Sequence, residues 1–386
     1  MDSHMNIDSK KTLLSIAIPT KNRHKTLLIT LDNMLRRMDD SVEFVICDNS
    51  DEELPSSLPL FLDKRIKYFY SSKTMSIVDN TENALSHCTG EFVCFIGDDD
   101  FVSPYIINYL KEILHTNIDA VSYQGGYYWW KDIDFNRKSY YEQAGAFWYP
   151  SATFEPRLIR ADDSLRALLS GGGLSVGLLP RLYHGIVRRF VLDNLKKKTG
   201  RYVHGASPDI SLAVSLALLG VNTFYISTPL TIFGASKKSG GGWTAENKHY
   251  GSIREQQHIP QYTKDNWSSF LPDVWSEHTI YPQSIIEVYD SFNKECILNL
   301  DMFYASLYIN EPHLRKIVTP FIIKYYKRHP NKLFFFIPAL IRKKCGDIKR
   351  KFESKFKCRK FYVYHSLEVS DVMDKLEQLQ TKRDTL

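Results

Sequence analysis

The first 120 residues alternate short apolar runs with segments whose apolar positions recur every three or four residues. That alternation is the signature of a mostly parallel sheet covered by helices. Leu13–Ile18 reads as a strand ended by Pro19. From His24 to Met38 the apolar positions Leu27, Leu28, Leu31, Met34, Leu35 and Met38 fit a helix with one buried face. Val42–Cys47 and Arg65–Tyr70 read as strands, and Ser76–Cys88 as a helix stopped near Gly90. The next strand, Glu91–Ile96, runs straight into Gly97-Asp98-Asp99-Asp100. Ser103 and Pro104 then open a helix to His115, with Ser as cap and Pro in the first turn, and Ile118–Tyr123 is a further strand.

Beyond this point the pattern is denser. Tyr123 to Tyr149 holds 11 aromatic residues, which predicts strands or a hairpin lining a cleft. Helical spacing marks Asp162–Leu169, Ile186–Leu195 and Pro208–Leu219. Ile210–Ser236 is uncharged and longer than the ~20 residues that cross a bilayer. Gly220 and Pro229 interrupt it, so it reads as a buried helix, a turn and a strand at Phe224–Ile226. After Asp301 the chain reads as mostly helical, with Pro320, Pro330 and Pro338 cutting the pieces short. Leu367–Gln380 is heptad-like, with Leu376 and Leu379 on one face. The expected organisation is a tag remnant and leader at 1–11, two halves of one α/β domain at 12–125 and 126–250, and a helical, basic C-terminal region at 251–386.

Composition excludes collagen-like and disordered chains: of 386 residues, 43% are hydrophobic and 24% charged. The net charge of +6 is unevenly spread. Arg315 to Lys360 carries 16 Lys/Arg against 2 Asp/Glu, leaving a mildly acidic body. Such asymmetry predicts an anionic partner met by one part of the molecule. Six cysteines without a C-x-x-C pair are too few for a disulfide scaffold and fit a reduced, cytoplasmic setting. The start lacks the apolar core of a secretory signal.

Three adjacent carboxylates at the end of a buried strand repel one another, and a cation or a ring of donors relieves that repulsion. Hard oxygen ligands at i and i+2 suit Mg²⁺ or Mn²⁺, which also bridge phosphates. A solvated acidic turn before the Ser103 helix is the other reading. Pro19-Thr20-Lys21-Asn22-Arg23 and Cys47-Asp48-Asn49-Ser50-Asp51 follow the first two strands, so both loops open on the edge where Asp98 sits. An Asp there can accept from a base N–H or a ribose hydroxyl, and Thr20, Asn22 and Arg23 can hold ribose and phosphate.

These segments resemble the family 2 glycosyltransferases of the GT-A fold, in the abequosyltransferase-like branch of O-antigen and polysaccharide enzymes. The matching pieces are Ser15–Arg23, Phe44–Asp51 and Gly90–Asp100, in order across roughly residues 12 to 120. The resemblance implies an α/β GT-A fold with a mostly parallel sheet and a helical, basic C-terminal extension. It implies nucleotide contacts at Pro19, Thr20, Asn22, Arg23, Asp48 and Asn80. It also implies a metal-binding D-x-D within Asp98, Asp99 and Asp100, with Asp98 also facing the donor. The family's base is an Asp or Glu at a helix start downstream, and Asp209 in Ser207-Pro208-Asp209 fits it, with the uncharged helix behind raising its pKa. Complementing the helix dipole is the simpler role for Asp209. The glycines around 240–242 suit a mobile loop before Trp243, whose Lys237 and Lys238 are placed to close over a diphosphate, or are merely solvated. Arg181, His184, Arg188 and Arg189 are candidates to face an acceptor phosphate.

The expected activity is therefore metal-dependent, inverting transfer of a sugar from a nucleotide-diphosphate sugar to a hydroxyl of a lipid-linked glycan, in bacterial surface polysaccharide synthesis. The cofactor is Mg²⁺ or Mn²⁺. The basic, aromatic segment 315–360 suits an anionic membrane surface, which makes the protein peripheral on the inner face of the plasma membrane. No nucleic-acid partner is expected, and the C-terminal helices are candidates for homo-oligomer contacts. Two rivals stand beside this reading: a sugar-phosphate nucleotidyltransferase, whose loop after the first strand is ordinarily glycine-rich, and a non-enzymatic RNA- or polymer-binding protein with a transferase-like body.

Overall fold

The structure is a computed structural model that describes residues 12–135, 140, 142–151, 153–245, 251–356 and 361–384. The leader 1–11 and the end of the basic segment, 357–360, lie outside the described residues. Eight strands form the main sheet: β1 (Leu14–Thr20), β2 (Val42–Asp48), β3 (Ile66–Tyr70), β4 (Phe92–Phe95), β6 (Ala120–Tyr123), β9 (Arg157–Ile159), β10 (Gly185–Arg188) and β11 (Thr223–Ile226). Their order is β3-β2-β1-β4-β10-β6-β11-β9, with β1 to β4 mutually parallel and β10 antiparallel to both neighbours. A second sheet, β15-β8-β7-β12-β5, is built from β5 (Phe101–Val102), β7 (Gly126–Trp129), β8 (Phe147–Pro150), β12 (Thr231–Ala235) and β15 (Phe361–Tyr364). A short pair, β13 (Gly251–Ser252) with β14 (Val274–Trp275), completes the strands among the described residues.

The two sheets meet at the carboxylate triplet. The chain leaves the main sheet at the end of β4, passes Gly97–Asp100, and enters the second sheet at β5. Burial on both faces explains the continuous apolar runs of β1, β2 and β4, as in any sheet sandwiched between helices. The helix Ile77–Ser86 starts where Ser76 accepts from the Asp79 N–H at 3.0 Å. Pro208–Leu219 opens with Pro at its first position and ends at Gly220 in the left-handed region, φ 73°. Its near-total burial, with β11 directly after it, confirms the helix-turn-strand reading of the uncharged stretch.

Three expectations need correction. Ile186 to Arg188 is strand β10, not the start of a helix; the helix runs Arg189–Thr199. Pro320 and Pro338 lie inside helices, Arg315–Arg328 and Leu333–Phe356, because one missing N–H bond need not end a helix on the surface. The glycines at 240–242 open a six-residue helix, Gly240–Ala245, rather than a loop. The region after 301 is mostly helical as expected, with one short strand, β15, returning to pair with β8.

The heptad-like tail is the helix Val369–Asp384, and its apolar face is used within the chain. Val372, Met373 and Leu376 are buried against Phe101, Tyr128, Phe147 and Tyr149 of the second sheet, with Leu379 partly buried beside them. Gln380 fixes its far end, accepting from Ser103 Oγ at 2.5 Å and donating to the Pro229 carbonyl at 2.7 Å. Arg37 reaches across to Asp374 and, at 3.0 Å, Glu377. Leu376→Ala should therefore cost about 2–5 kcal/mol in urea unfolding, the usual price of a core leucine. A loss under ~0.5 kcal/mol would mean that the face is solvent-exposed.

Candidate active site

The carboxyl ends of β1, β2 and β4 present three loops on one edge, and polar side chains lock them together. Asn22 sits at φ 57°, where Asn is tolerated, and donates its main-chain N–H to Ser50 Oγ at 2.7 Å. Its amide and Asp51 bond reciprocally, at 3.0 and 2.9 Å. Asn80, buried, donates to the carbonyls of Thr20 and Cys47 at 3.2 and 3.1 Å, pinning the ends of β1 and β2. Pro19, buried, lies opposite Cys47 in the register. Asp48 accepts from the Ser50 N–H and the Tyr68 hydroxyl, both at 2.8 Å, and has His24 Nε2 at 2.6 Å. Asn80 thus orders the loops, and Asp48 is held rigid at their centre.

Each carboxylate of the triplet is buried and has its own partners. Asp98 Oδ2 accepts from Thr20 Oγ1 at 2.5 Å, and Arg23 Nη2 stands 2.8 Å from Oδ1. Arg23 Nη1 is 3.4 Å from Asp99 Oδ1, while Asp99 Oδ2 accepts from the Ser236 N–H (2.9 Å) and hydroxyl (2.7 Å). Asp100 is enclosed: its oxygens accept from the N–H groups of Gly97 (2.6 Å) and Gly234 (2.7 Å) and the Tyr183 hydroxyl (3.1 Å), with His184 Nε2 at 2.8 Å. His184 Nδ1 in turn meets Thr231 Oγ1 at 2.8 Å. Glycine is required at 234, because a Cβ there would lie 1.7 Å from the Asp99 carbonyl oxygen.

The charges follow from this geometry. Burial pushes the Asp98 carboxyl up to about 7, and although Arg23 and Thr20 oppose that rise, Asp99 and Asp100 add to it. Asp99 is raised for the same first reason, burial. Asp100 lies below the usual carboxylate range: burial works against ionisation, but His184 and the two glycine N–H groups overcome it. For Arg23 burial disfavours the charge, yet the three carboxylates hold its proton more tightly than in water.

Asp209 opens the helix Pro208–Leu219 and is half-buried; it accepts from the hydroxyls of Ser207 and Tyr281. Tyr183 connects it to the triplet, because its phenol is raised far above normal by burial and then by Asp100, Asp99 and Asp209 together. Glu277, at the start of the helix Glu277–Ser291, is raised by burial and, among its neighbours, by Asp209. The structure therefore joins Thr20 and Arg23 to Asp98 and Asp99 by direct contacts, and brings Asp209 within electrostatic reach of the triplet through Tyr183. Lys237 and Lys238 follow directly on Ser236 and are exposed; Lys237 Nζ is 2.8 Å from Asp134.

Some candidates lie elsewhere or act differently. Arg188 is buried and donates to the carbonyls of Ile113, Leu114, Thr116 and Ile118, closing the end of the helix Tyr105–Ile113. Arg189 pairs with Asp193 on the surface, and His184 supports Asp100 rather than facing solvent. Tyr183, Ser236, Thr231, Trp130 and Tyr281 were not singled out by sequence. Trp130 Nε1 donates to the Asp99 carbonyl at 2.9 Å. The aromatic density around 130 was the one signal that pointed near it.

Among the described residues, no group of three or more His, Cys, Asp or Glu side chains forms a metal cage. Two oxygens do converge on one cation: Asp98 Oδ1, a buried atom with no hydrogen bond, and Asp99 Oδ1 both face the Arg23 guanidinium. The donor set is hard oxygen, the kind that suits Mg²⁺ or Mn²⁺. Asp100 has its lone pairs engaged inside the protein.

Residues 15–165 match the family model for glycosyl transferase family 2, a stretch that contains all three loops and the triplet. No curated protein matches the chain. Among solved structures, S. aureus TarS aligns at 16% identity and a TM-score of 0.41, over 58% of this chain and 37% of TarS. S. aureus TarS 1-349 in complex with UDP-GlcNAc aligns at 16% identity and 0.42, over 62% of each chain. The same fragment in complex with UDP aligns at 15% and 0.38, over 58% and 61%. This chain thus spans less than two thirds of the length of each. The fold is the expected GT-A class, a mostly parallel sheet flanked by helices with C-terminal helices attached.

The raised carboxyl of Asp98 fixes the sign of a pH effect. Folded, it titrates near 7; unfolded, near ~4, so the folded chain holds the extra proton between those values. Its contribution to stability is therefore full below ~4 and lost as the pH rises to 7. In metal-free buffer, Asp98→Asn should gain stability relative to the wild type between pH 5 and 7.5 in urea titrations. Parallel pH profiles would contradict this assignment.

Proposed function

We propose that the protein is a glycosyltransferase that moves a sugar from a nucleotide-diphosphate sugar to a hydroxyl of a glycan acceptor. The observation that carries this reading is that one buried phenol, Tyr183, donates to Asp100 and feels the charges of both the triplet and Asp209. The family 2 match over 15–165 supports it. In this reading, Thr20, Asn22, Arg23 and Asp48 line the nucleoside and phosphate side. Asn80 and Pro19 hold those loops in place. Asp98 and Asp99 would hold a Mg²⁺ or Mn²⁺ ion, which would supply neutralising charge to the donor's diphosphate. Lys237 and Lys238, next to Asp99's partner Ser236, add positive charge to the same side.

On the other side, Asp209 accepts the proton of the acceptor hydroxyl as its oxygen attacks the anomeric carbon. The bond from that carbon to the diphosphate oxygen breaks, and the nucleoside diphosphate departs. Attack from the face opposite the leaving group inverts the anomeric centre. The hydroxyls of Ser207 and Tyr281 fix the carboxylate's orientation. The abequosyltransferase-like resemblance supports an acceptor in bacterial surface polysaccharide, carried on lipid.

Purified protein given nucleotide sugars and an acceptor should release nucleoside diphosphate. Pyrophosphate exchange without that release would instead mark a nucleotidyltransferase. Asp209→Asn should lower kcat by ~10²-fold or more while leaving the donor's KM within a few-fold. Wild-type turnover by this variant would remove Asp209 from the mechanism.

A further inference from the structure

The helix Leu333–Phe356 is amphipathic with its apolar stripe on the outside. Its inward side packs on the helix Leu300–Asn310, with Ala339 buried, Phe336 against Tyr326 at 5.2 Å, and Lys343 paired with Asp347 at 2.9 Å. The opposite side carries Phe334, Ile337, Ile341 and Ile348, exposed by 81, 61, 58 and 64%. At 100° per residue, these four fall within about 60° of one another around the helix axis. Leu333 and Phe335, exposed by 52 and 61%, widen it at its start, and among the described residues nothing is packed on this stripe, although one buried leucine or phenylalanine is worth about 1.5–3 kcal/mol.

The charges beside the stripe are all of one sign. From Pro312 to Gly346 there is no Asp or Glu, whereas Arg342 and Lys344 flank the stripe on either side and are exposed. The helix before it, Arg315–Arg328, adds exposed Lys316, Lys324, Lys327 and Arg328 with Ile317 and Ile323. Among the described residues no helix is long and apolar enough to cross a membrane. An apolar strip bordered by cations is the form of a helix lying in the plane of an anionic lipid surface, its rings and branched chains among the acyl ends and its cations at the headgroups. A protein partner would be expected to bring carboxylates against the cations and a fitted groove against the stripe. The evenly basic border and unbroken apolar line favour lipid.

We propose that the face of Phe334, Ile337, Ile341 and Ile348, with Arg342 and Lys344, docks the protein on an anionic bilayer. This rests on and deepens the proposed function, because it would bring the transferase to a lipid-carried acceptor. The full chain should float with vesicles containing phosphatidylglycerol and remain unbound with pure phosphatidylcholine, and 0.5 M NaCl should release most of it. Phe334→Asp with Ile337→Asp should reduce flotation at least tenfold with an unchanged thermal midpoint. Lys344→Glu, which leaves the stripe intact, should reduce it severalfold and serves if the first variant unfolds. Absence of wild-type flotation with anionic vesicles at low salt would overturn the proposal. So would concentration-dependent dimerisation that the aspartate pair abolishes, since a second copy would then cover the stripe. Release of nucleoside diphosphate with a soluble acceptor should be the same in both variants as in wild type, so failure of docking and failure of the transferase reading remain distinguishable.

Discussion

Three adjacent carboxylates cannot leave water together unless positive charge and N–H donors meet them, and this constraint organises the centre of the molecule. The donors come from four separate parts of the chain. Arg23 arrives from the loop after β1, Tyr183 and His184 from the approach to β10, and Gly234 and Ser236 from the end of β12. Trp130, past β7, holds the main chain of Asp99. Each partner fixes one element against another, so neutralising Asp98–Asp100 also joins the main sheet to the second. Removing one partner would leave a buried charge uncompensated, which is far costlier than losing a surface ion pair.

The three residues consequently divide their work. Asp100, below the usual carboxylate range and enclosed by His184 and two N–H groups, is a structural anion. Asp98 and Asp99, both raised by burial and sharing Arg23, keep oxygens turned toward a single cation. Arg23 occupies the position where positive charge is wanted. In the proposed transferase, charge brought by the donor complex would relieve the same repulsion.

The first half of the fold was legible because its elements are local. The strands from Leu14 to Phe95 are apolar runs separated by helical spacing, and the main helices fell within a few residues of expectation. Elements that depend on distant pairing were not. β10 is four residues bonded to β4 and β6, and nothing in Gly185–Arg188 separates it from the helix that follows. β15 pairs with β8 across more than two hundred residues. The site shows the same divide. The triplet, the two early loops and Asp209 stand out by residue type, whereas Ser236, Tyr183 and Tyr281 gain meaning only from where the fold puts them. Asn80 was visible in the sequence, but that its amide nitrogen ties the carbonyls of Thr20 and Cys47 together was not.

The account rests on Asp98 and Asp99 sharing a cation with a diphosphate. Titration calorimetry of a nucleoside diphosphate into the wild-type protein, with Mn²⁺ and then with excess chelator, tests that most directly. The account predicts binding at least tenfold tighter with Mn²⁺, a difference that Asp98→Ala and Asp99→Ala each remove. Equal affinity with and without the metal would contradict it.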